Sequence, residues 1–222
     1  MGADMDGSLC RIGVFYDWSY FSYAQNHFYN DRKLGWLGFH PFHALIEAFA
    51  REWEQGFTNY RIVCATWHQG LFSVNQADPR QLHNDRNKHL ELIHAGIEPK
   101  FAAMAQSQRE KGIDVALAIE ALQAALSDTI DLAVLVTGDG DFVPLARALM
   151  RHGVRVGVVY FQYQVGEDKA FANERLLGAA NYTLNVNSLE QDRRNQGRFR
   201  GLFGNGHQPP QRLEPSGDQK AA

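Results

Sequence analysis

Asp139 and Asp141, separated by one glycine, are the residues of this chain best suited to chemistry. They come shortly after the run Leu132 to Val136, which is apolar throughout, as expected for a strand buried on both faces of a parallel sheet. In open α/β sheets ligands bind outside the carboxyl ends of the strands, where these two carboxylates would lie. The simpler alternative is that Asp141 only caps the following helix and that Asp139 is a solvated turn residue.

A helix is predicted directly after this acidic turn. Asp141 suits its cap position and Pro144 suits its first turn. The residues predicted to face inward are Leu145, Ala148 and Leu149. The unit is therefore a strand, an acidic turn and a helix.

Two further segments each carry an aspartate to a similar place. Arg11 to Asp17 is a second apolar run that ends in an aspartate, and Trp18 to Phe28 predicts an aromatic-rich helix after it. Asp114 opens a third helix, although the helix dipole alone would favour an aspartate there. The apolar residues Val115, Ile119 and Leu122 share one face of that helix. Three such segments predict an acidic cluster.

A cluster of aspartates predicts a bound metal ion. Converging carboxylates repel one another unless a cation compensates their charge, and oxygen ligands alone favour Mg²⁺ or Mn²⁺ over zinc. Such an ion could activate water for in-line attack on a phosphodiester. We expect Asp17 and Asp139 to coordinate the ion directly, and Asp114 and Asp141 to hold waters or a second ion.

Two neighbouring residues have candidate roles in substrate binding. Thr137 could orient a bound water, or could simply be a β-branched residue filling a strand position. Lys111 could hold a substrate phosphate, or could be a solvated loop lysine.

Three motifs taken in order resemble the NYN domain, specifically the LabA-like branch of the PIN-like ribonuclease superfamily. They are the strand ending in Asp17, Lys-Gly-Ile-Asp-Val at 111–115, and Val-Thr-Gly-Asp-Gly-Asp-Phe-Val-Pro-Leu at 136–145. The resemblance covers roughly Arg11 to Asn187. It implies an α/β, Rossmann-like three-layer α/β/α domain with a central parallel sheet, and metal-dependent hydrolysis of RNA. The residues it implies for the metal and for catalysis are Asp17, Asp114, Asp139 and Asp141.

One position departs from the family pattern. Tyr20 stands where the family usually has an asparagine that belongs to the site. Tyr20 and Trp18 could stack on RNA bases, or both rings could belong to the core. The departure supports a second hypothesis, a catalytically silent PIN-like protein that binds RNA or regulates another molecule.

A third hypothesis comes from a different enzyme class. Asp139-Gly-Asp-Phe-Val also fits the Asp-x-Asp-x-Val of haloacid-dehalogenase-like phosphatases, in which the first aspartate is a nucleophile. That motif normally opens its domain, whereas here too little folded chain follows to supply the remaining catalytic residues.

Composition limits the class of protein. The chain has 222 residues, 45% of them hydrophobic, which suffices for one domain and a tail. No stretch is apolar enough to cross a bilayer, the first ten residues do not resemble a signal peptide, and Cys10 and Cys64 form no disulfide pattern. We therefore expect a cytoplasmic protein that contacts no membrane. The resemblance to the NYN domain implies RNA, expected to be single-stranded, as the partner; a homodimer is left open.

The remaining segments alternate between helices and strands. Helices are predicted at 43–53, 79–94 and 171–177, and strands at 60–66, 101–104, 154–161 and 182–186. In the helix at 79–94 the residues expected to face inward are Leu82, Leu90 and Ile93. Strands separated by helices favour a parallel, doubly wound sheet.

The last part of the chain changes in composition. Residues 188–222 are rich in Arg, Gly and Gln, and we predict a disordered tail that binds RNA or merely solubilises the protein. The residues before Ser188 are net negative, so RNA contacts there would need a local basic patch or a metal. The candidates, which could equally form a solvated helix face, are Arg80, Arg86, Lys88, Lys100, Arg109 and Lys111.

Overall fold

The computed structural model describes residues 8–71, 79–103, 112–165 and 168–204. The helices are α1 (Trp18–Asn26), α2 (Phe39–Trp53), α3 (Pro79–His94), α4 (Ile113–Leu126), α5 (Val143–Arg151), α6 (Glu174–Ala179) and α7 (Gln196–Gly201). The strands are β1 (Leu9–Asp17), β2 (Trp36–Leu37), β3 (Asn59–Leu71), β4 (Glu98–Ala103), β5 (Leu132–Val136), β6 (Arg155–Tyr160), β7 (Tyr163–Val165), β8 (Asp168–Ala170), β9 (Tyr182–Asn185) and β10 (Phe203–Gly204). None of the described helices combines the length and the apolar character needed to span a membrane.

A six-stranded parallel sheet forms the centre of the molecule. Its strand order is β4-β3-β1-β5-β6-β9, and every neighbouring pair runs parallel. The chain lays down β1, β3 and β4 in one direction and then β5, β6 and β9 in the other. The direction therefore switches between β1 and β5, which are adjacent at the middle of the sheet.

Helices cover the sheet on both faces and give the three layers predicted from the sequence. Side chains from α1, α2 and α7 pack on one face around Tyr16 and Trp67. Side chains from α4, α5 and α6 pack on the other face around Phe15 and Leu135. All five residues of β5 are buried, as its unbroken apolar run predicted.

Two helices turn different faces to the sheet than their apolar residues suggested. In α3, Leu90 and Ile93 are 48% and 52% exposed, so the inward orientation predicted for them was wrong; Leu92 is buried instead. The side chain of Leu82 lies outside the described residues. In α4, the face that carries Val115 and Ile119 points to solvent. The buried residues of α4 are Ile113, Leu117, Ala121 and Ala125, whose small alanines let the helix lie close to the strands.

The segment 188–204 is folded, so the prediction of disorder from Ser188 onward was wrong for this part. Strand β10 pairs with β2, and Phe199 and Leu202 are buried in the core on the α1 side. The sequence pattern did not indicate a folded segment, because several arginines lie between its few apolar residues. Arg198 pairs with Glu52, and Arg32 pairs with Glu190, so charges around the segment fasten it to the domain. Residues 205–222 lie outside the described residues.

Candidate active site

The carboxyl ends of β1 and β5 meet at the switch in strand direction. Tyr16 in β1 is in register with Val136 in β5, so Asp17 and Thr137 follow side by side. Crevices at such switch points are where open parallel sheets bind ligands. The fold therefore brings the first predicted aspartate next to the acidic turn.

Asp17 is held by three hydrogen bonds. Its Oδ1 accepts from the hydroxyl of Ser19 at 2.8 Å and from the backbone N–H of Tyr20 at 3.3 Å, which caps α1. Its Oδ2 accepts from Oγ1 of Thr137 at 2.9 Å. Both oxygens are thus fixed in direction before any ligand binds.

Thr137 joins Asp17 to the acidic turn. It is fully buried, and its Oγ1 also accepts a hydrogen bond from the backbone N–H of Asp139 at 3.2 Å. The hydroxyl therefore donates to one aspartate and accepts from the backbone of another. This bridge fixes the end of β1 against the turn that follows β5.

Asp139, and not Asp141, is the capping residue of the acidic turn, so the predicted cap was wrong. Its Oδ1 accepts from the backbone N–H of Asp141 at 2.9 Å, at the start of a single 3₁₀ turn, Gly140–Phe142, that precedes α5. The extra turn moves the start of α5 to Val143, with Pro144 in the first turn as predicted.

The two glycines of the turn are required by close packing. A Cβ at Gly138 would lie 2.7 Å from the ring of Tyr20, and a Cβ at Gly140 would lie 2.5 Å from the amide of Asn173. Both glycines have a neighbour pressed against them where any side chain would project. The sequence Gly-Asp-Gly-Asp thus places two carboxylates on a turn packed between α1 and α6.

Asp114 approaches the same place from α4. It lies in the first turn, after Gly112, whose φ of 88° is in the left-handed region. The pKa of its carboxyl is raised above the usual range by desolvation and then by the negative charges of Asp17, Asp139 and Asp141. Asp114 therefore lies within electrostatic reach of the other three predicted aspartates.

The sequence model of the NYN domain family matches residues 11–187 of this chain. The chain belongs to the NYN domain family. Membership places it among the PIN-like nucleases, whose general activity is the cleavage of RNA. Because the chain belongs to the NYN domain family, we set aside the hypothesis of a haloacid-dehalogenase-like phosphatase.

Comparison with other proteins adds one solved structure. A protein of unknown function from Vibrio parahaemolyticus resembles this NYN domain with 21% sequence identity and a TM-score of 0.49. The similarity covers 84% of this chain and 96% of that protein. No curated protein matches the sequence.

The four predicted aspartates would form a donor set that suits a hard cation. Asp17, Asp114, Asp139 and Asp141 offer only carboxylate oxygens, the ligands that Mg²⁺ and Mn²⁺ prefer. Within the described part of the chain, however, no three His, Cys, Asp or Glu side chains are gathered closely enough to share one ion. This spacing is compatible with the charge interactions of Asp114, because repulsion between carboxylates acts over longer distances than metal coordination. The residues fit the ion in kind.

Tyr20 supports the end of β6. Its hydroxyl donates to the carbonyl of Phe161 at 3.0 Å and accepts from the N–H of the same residue at 2.9 Å. Burial raises the pKa of Tyr20 well above its usual value, so the phenol keeps its proton. Trp18, the other candidate for base stacking, is partly buried against the core.

The predicted basic patch is only partly available for RNA. Lys100 pairs with Glu98 and Glu120, and the amine of Lys88 lies 4.7 Å from the ring centre of Trp67. Arg86 is exposed. The side chains of Arg80, Arg109 and Lys111 lie outside the described residues.

His68 is a site neighbour that the sequence did not reveal. It is paired with Asp17 across β3 and β1, it is 2% exposed, and its Nε2 lies 3.0 Å from Oγ1 of Thr66. Burial, together with the charge of Lys100, lowers the pKa of His68 to about 4, so the ring is neutral at physiological pH. The pairing depends on a register shift between β1 and β3, where Val63 of β3 is left without a partner opposite Ile12 and Gly13 of β1; no pattern in the sequence signals it.

Proposed function

We propose that this NYN domain is a metal-dependent ribonuclease that hydrolyses phosphodiester bonds of single-stranded RNA at Asp17, Asp114, Asp139 and Asp141. The observation that carries the proposal is the bridge from Asp17 through Thr137 to the backbone of Asp139. It joins the carboxylate of Asp17, at the end of β1, to the backbone of the turn that follows β5. The pKa of Asp114 is raised by desolvation and then by the charges of the other three aspartates.

The proposed cofactor is Mg²⁺ or Mn²⁺. Asp17 and Asp139 would hold the ion directly, and Asp114 and Asp141 would hold waters or a second ion. When bound, the ion would neutralise charge on the scissile phosphate and favour ionisation of the attacking water.

The residues of the chain itself position the reaction. Ser19 and Thr137 each donate a hydrogen bond to one oxygen of Asp17. These bonds orient the carboxylate at the end of β1, and Oδ2 keeps a lone pair for a ligand. The cap from Asp139 to the N–H of Asp141 keeps the second pair of carboxylates on one rigid turn. The carboxylates that would hold the ion are thus oriented before a substrate phosphate arrives, which favours alignment for in-line attack.

A specific observation also favours the second candidate, a catalytically silent protein that binds RNA. Tyr20 replaces an asparagine of the family pattern, and its hydroxyl is committed to the backbone of Phe161. The two candidates agree on RNA as the ligand and differ in turnover.

Cleavage of labelled, mixed-sequence single-stranded RNA in Mg²⁺, Mn²⁺ or EDTA separates the two candidates. The ribonuclease proposal predicts products with either metal and none in EDTA. RNA that is bound but intact under every metal would support the silent candidate instead. A parallel assay on small phosphomonoesters is expected to show no turnover.

We also propose a cellular location for the protein. Cys10 and Cys64 are free thiols, Cys10 buried and Cys64 partly so, which suits the reducing cytoplasm that we propose as its location. Membership of the LabA-like branch and formation of a homodimer remain predictions.

A further inference from the structure

Beside Asp141 lies a groove between α5 and α6 that the ribonuclease proposal does not use. Its volume is about 620 Å³, within the ~300–1,000 Å³ range of sites that bind small ligands. Two arginines, Arg147 and Arg175, line it on opposite helices. The other lining residues apart from Asp141 carry no charge and little bulk: Gly140, Val143, Pro144, Gly178 and Ala179.

The groove is fixed in position relative to the aspartates. The backbone N–H of Asn173 donates to the carbonyl of Gly138 at 2.9 Å, and its side chain packs on Gly140. Asn173 also caps α6, in which Arg175 lies two residues further on. The acidic turn leads directly into α5, which carries Arg147 one turn after its start. Both arginines therefore belong to elements fastened to the acidic turn.

The two arginines are free to bind an anion. Both are exposed, and neither forms an ion pair with any residue that the structure describes. By contrast, Arg11, Arg32 and Arg198 are each engaged by carboxylates. In a chain with a formal net charge of −3, two unpaired guanidinium groups beside an acidic site form a local positive patch.

We infer that this groove binds the backbone of the RNA strand, with Arg147 and Arg175 holding a phosphate next to the one that is cleaved. The inference rests on the proposed function for its substrate. Guanidinium groups bind phosphate oxygens through paired N–H donors, and small residues in the groove let a sugar-phosphate backbone approach. The strand would then run from the aspartates across Asp141 and along the groove between α5 and α6.

The test measures RNA binding without cleavage. Fluorescence anisotropy of labelled single-stranded RNA is recorded in EDTA at several salt concentrations for the unsubstituted protein and for the double variant Arg147→Ala, Arg175→Ala. Loss of charge-assisted hydrogen bonds to one phosphate predicts binding weaker by about tenfold or more. The slope of log affinity against log salt should fall by about 0.7, the value for one phosphate of a single strand.

Two controls sharpen the result. Arg151→Ala removes the same charge from α5 one turn away from the groove lining and should leave the affinity unchanged. The double variant Arg147→Lys, Arg175→Lys keeps the charges and should keep the salt slope while losing part of the affinity. Thermal melts check that all variants are folded.

The inference is overturned if the alanine pair binds as tightly as the unsubstituted protein, if Arg151→Ala loses as much, or if the unsubstituted protein does not bind RNA. Its failure can be told apart from failure of the ribonuclease proposal. Arginine-dependent binding without any cleavage would remove only the nuclease. Metal-dependent cleavage with arginine-independent binding would remove only the groove.

Discussion

The hydroxyl of Thr137 joins the carboxylate of Asp17 to the backbone of Asp139. It donates to Asp17 and accepts from the N–H of Asp139, and it has no contact with solvent. A threonine at a strand end would have been explained equally well by its β-branched shape. The structure gives the hydroxyl a role that the methyl group cannot fill.

Thr137→Val should therefore lower activity and stability together. The substitution keeps the shape but leaves a buried N–H and a carboxylate oxygen without a partner, at a cost of about 1–3 kcal/mol. Urea unfolding measures the loss, and RNA cleavage should fall at least tenfold. Thr137→Ser keeps the hydroxyl and should retain most of both. Thr129→Val, which removes an exposed hydroxyl, is the matched control; equal effects in the two valine variants would contradict this role.

Asp114→Asn should stabilise the protein at neutral pH. The folded state raises the pKa of this carboxyl, so its ionised form is disfavoured, and the stability that the protonated form provides is lost as pH rises through the folded pKa. Because the side chain is exposed and screened by water, the gain should be at most about 1 kcal/mol. Thermal melts should show the gain at pH 7 and its disappearance below the ordinary aspartate pKa of about 3.9. A variant less stable than the parent at pH 7 would mean that the other three carboxylates do not destabilise ionised Asp114.

Among the elements, α1 and β6 are tied together by Tyr20. The phenol satisfies both the N–H and the carbonyl of Phe161 just past the end of β6, while its ring packs on Gly138. One side chain thus connects the helix after β1, the turn after β5 and the end of β6. This is a structural reason for a tyrosine where the family pattern has asparagine.

Tyr20→Phe tests that connection. The buried backbone groups of Phe161 would lose their partner, which should cost about 1–3 kcal/mol in urea unfolding. RNA cleavage should survive in the folded variant, because the hydroxyl faces the backbone and not the carboxylates. Tyr23→Phe on the same helix changes a residue that is 70% exposed and should have no effect. Loss of cleavage without loss of stability would instead place the hydroxyl at the substrate.

The elements were more predictable than the contacts among them. The apolar runs that end at Asp17 and before Asp139 predicted β1 and β5, because strands buried on both faces leave no room for polar residues. The link between Asp17 and the backbone of Asp139 followed from the shared edge of a parallel sheet, whereas the convergence of all four aspartates stays a prediction. The pairing of His68 with Asp17 could not be predicted, since it depends on a local register shift. Arg147 and Arg175 lay on helix faces that resembled ordinary solvated surface.

At the scale of the whole molecule, the fold extends past the end of the family match. Leu189, Phe199 and Leu202 are buried, and Phe199 packs edge-on against Phe28 with ring centres 6.0 Å apart. Composition alone suggested disorder here because apolar residues are few. Composition does not report the positions of these residues along the chain. The few apolar residues of this segment all pack into the core on the α1 side.

Truncation tests this extension. A chain ending at Asn187 loses three buried apolar side chains and should be destabilised by more than the ~3–5 kcal/mol typical of one large-to-small core substitution. A chain ending at Gly204 keeps them and should melt like the unshortened chain. Phe199→Ala provides the smaller change, with an expected loss of about 3–5 kcal/mol. Equal melting temperatures for the chains ending at Asn187 and Gly204 would show that the segment only rests on the surface.

The most direct test of the carboxylate site compares two Asp→Asn variants in the RNA cleavage assay with Mn²⁺. Asp139→Asn removes one charge from the cluster and should reduce cleavage to the level seen in EDTA. Asp128→Asn removes the same charge from a residue whose side chain is 94% exposed, and its positive φ of 50° suits asparagine. That variant should cut RNA like the unsubstituted protein. Full activity in Asp139→Asn, with metal still required, would contradict the account.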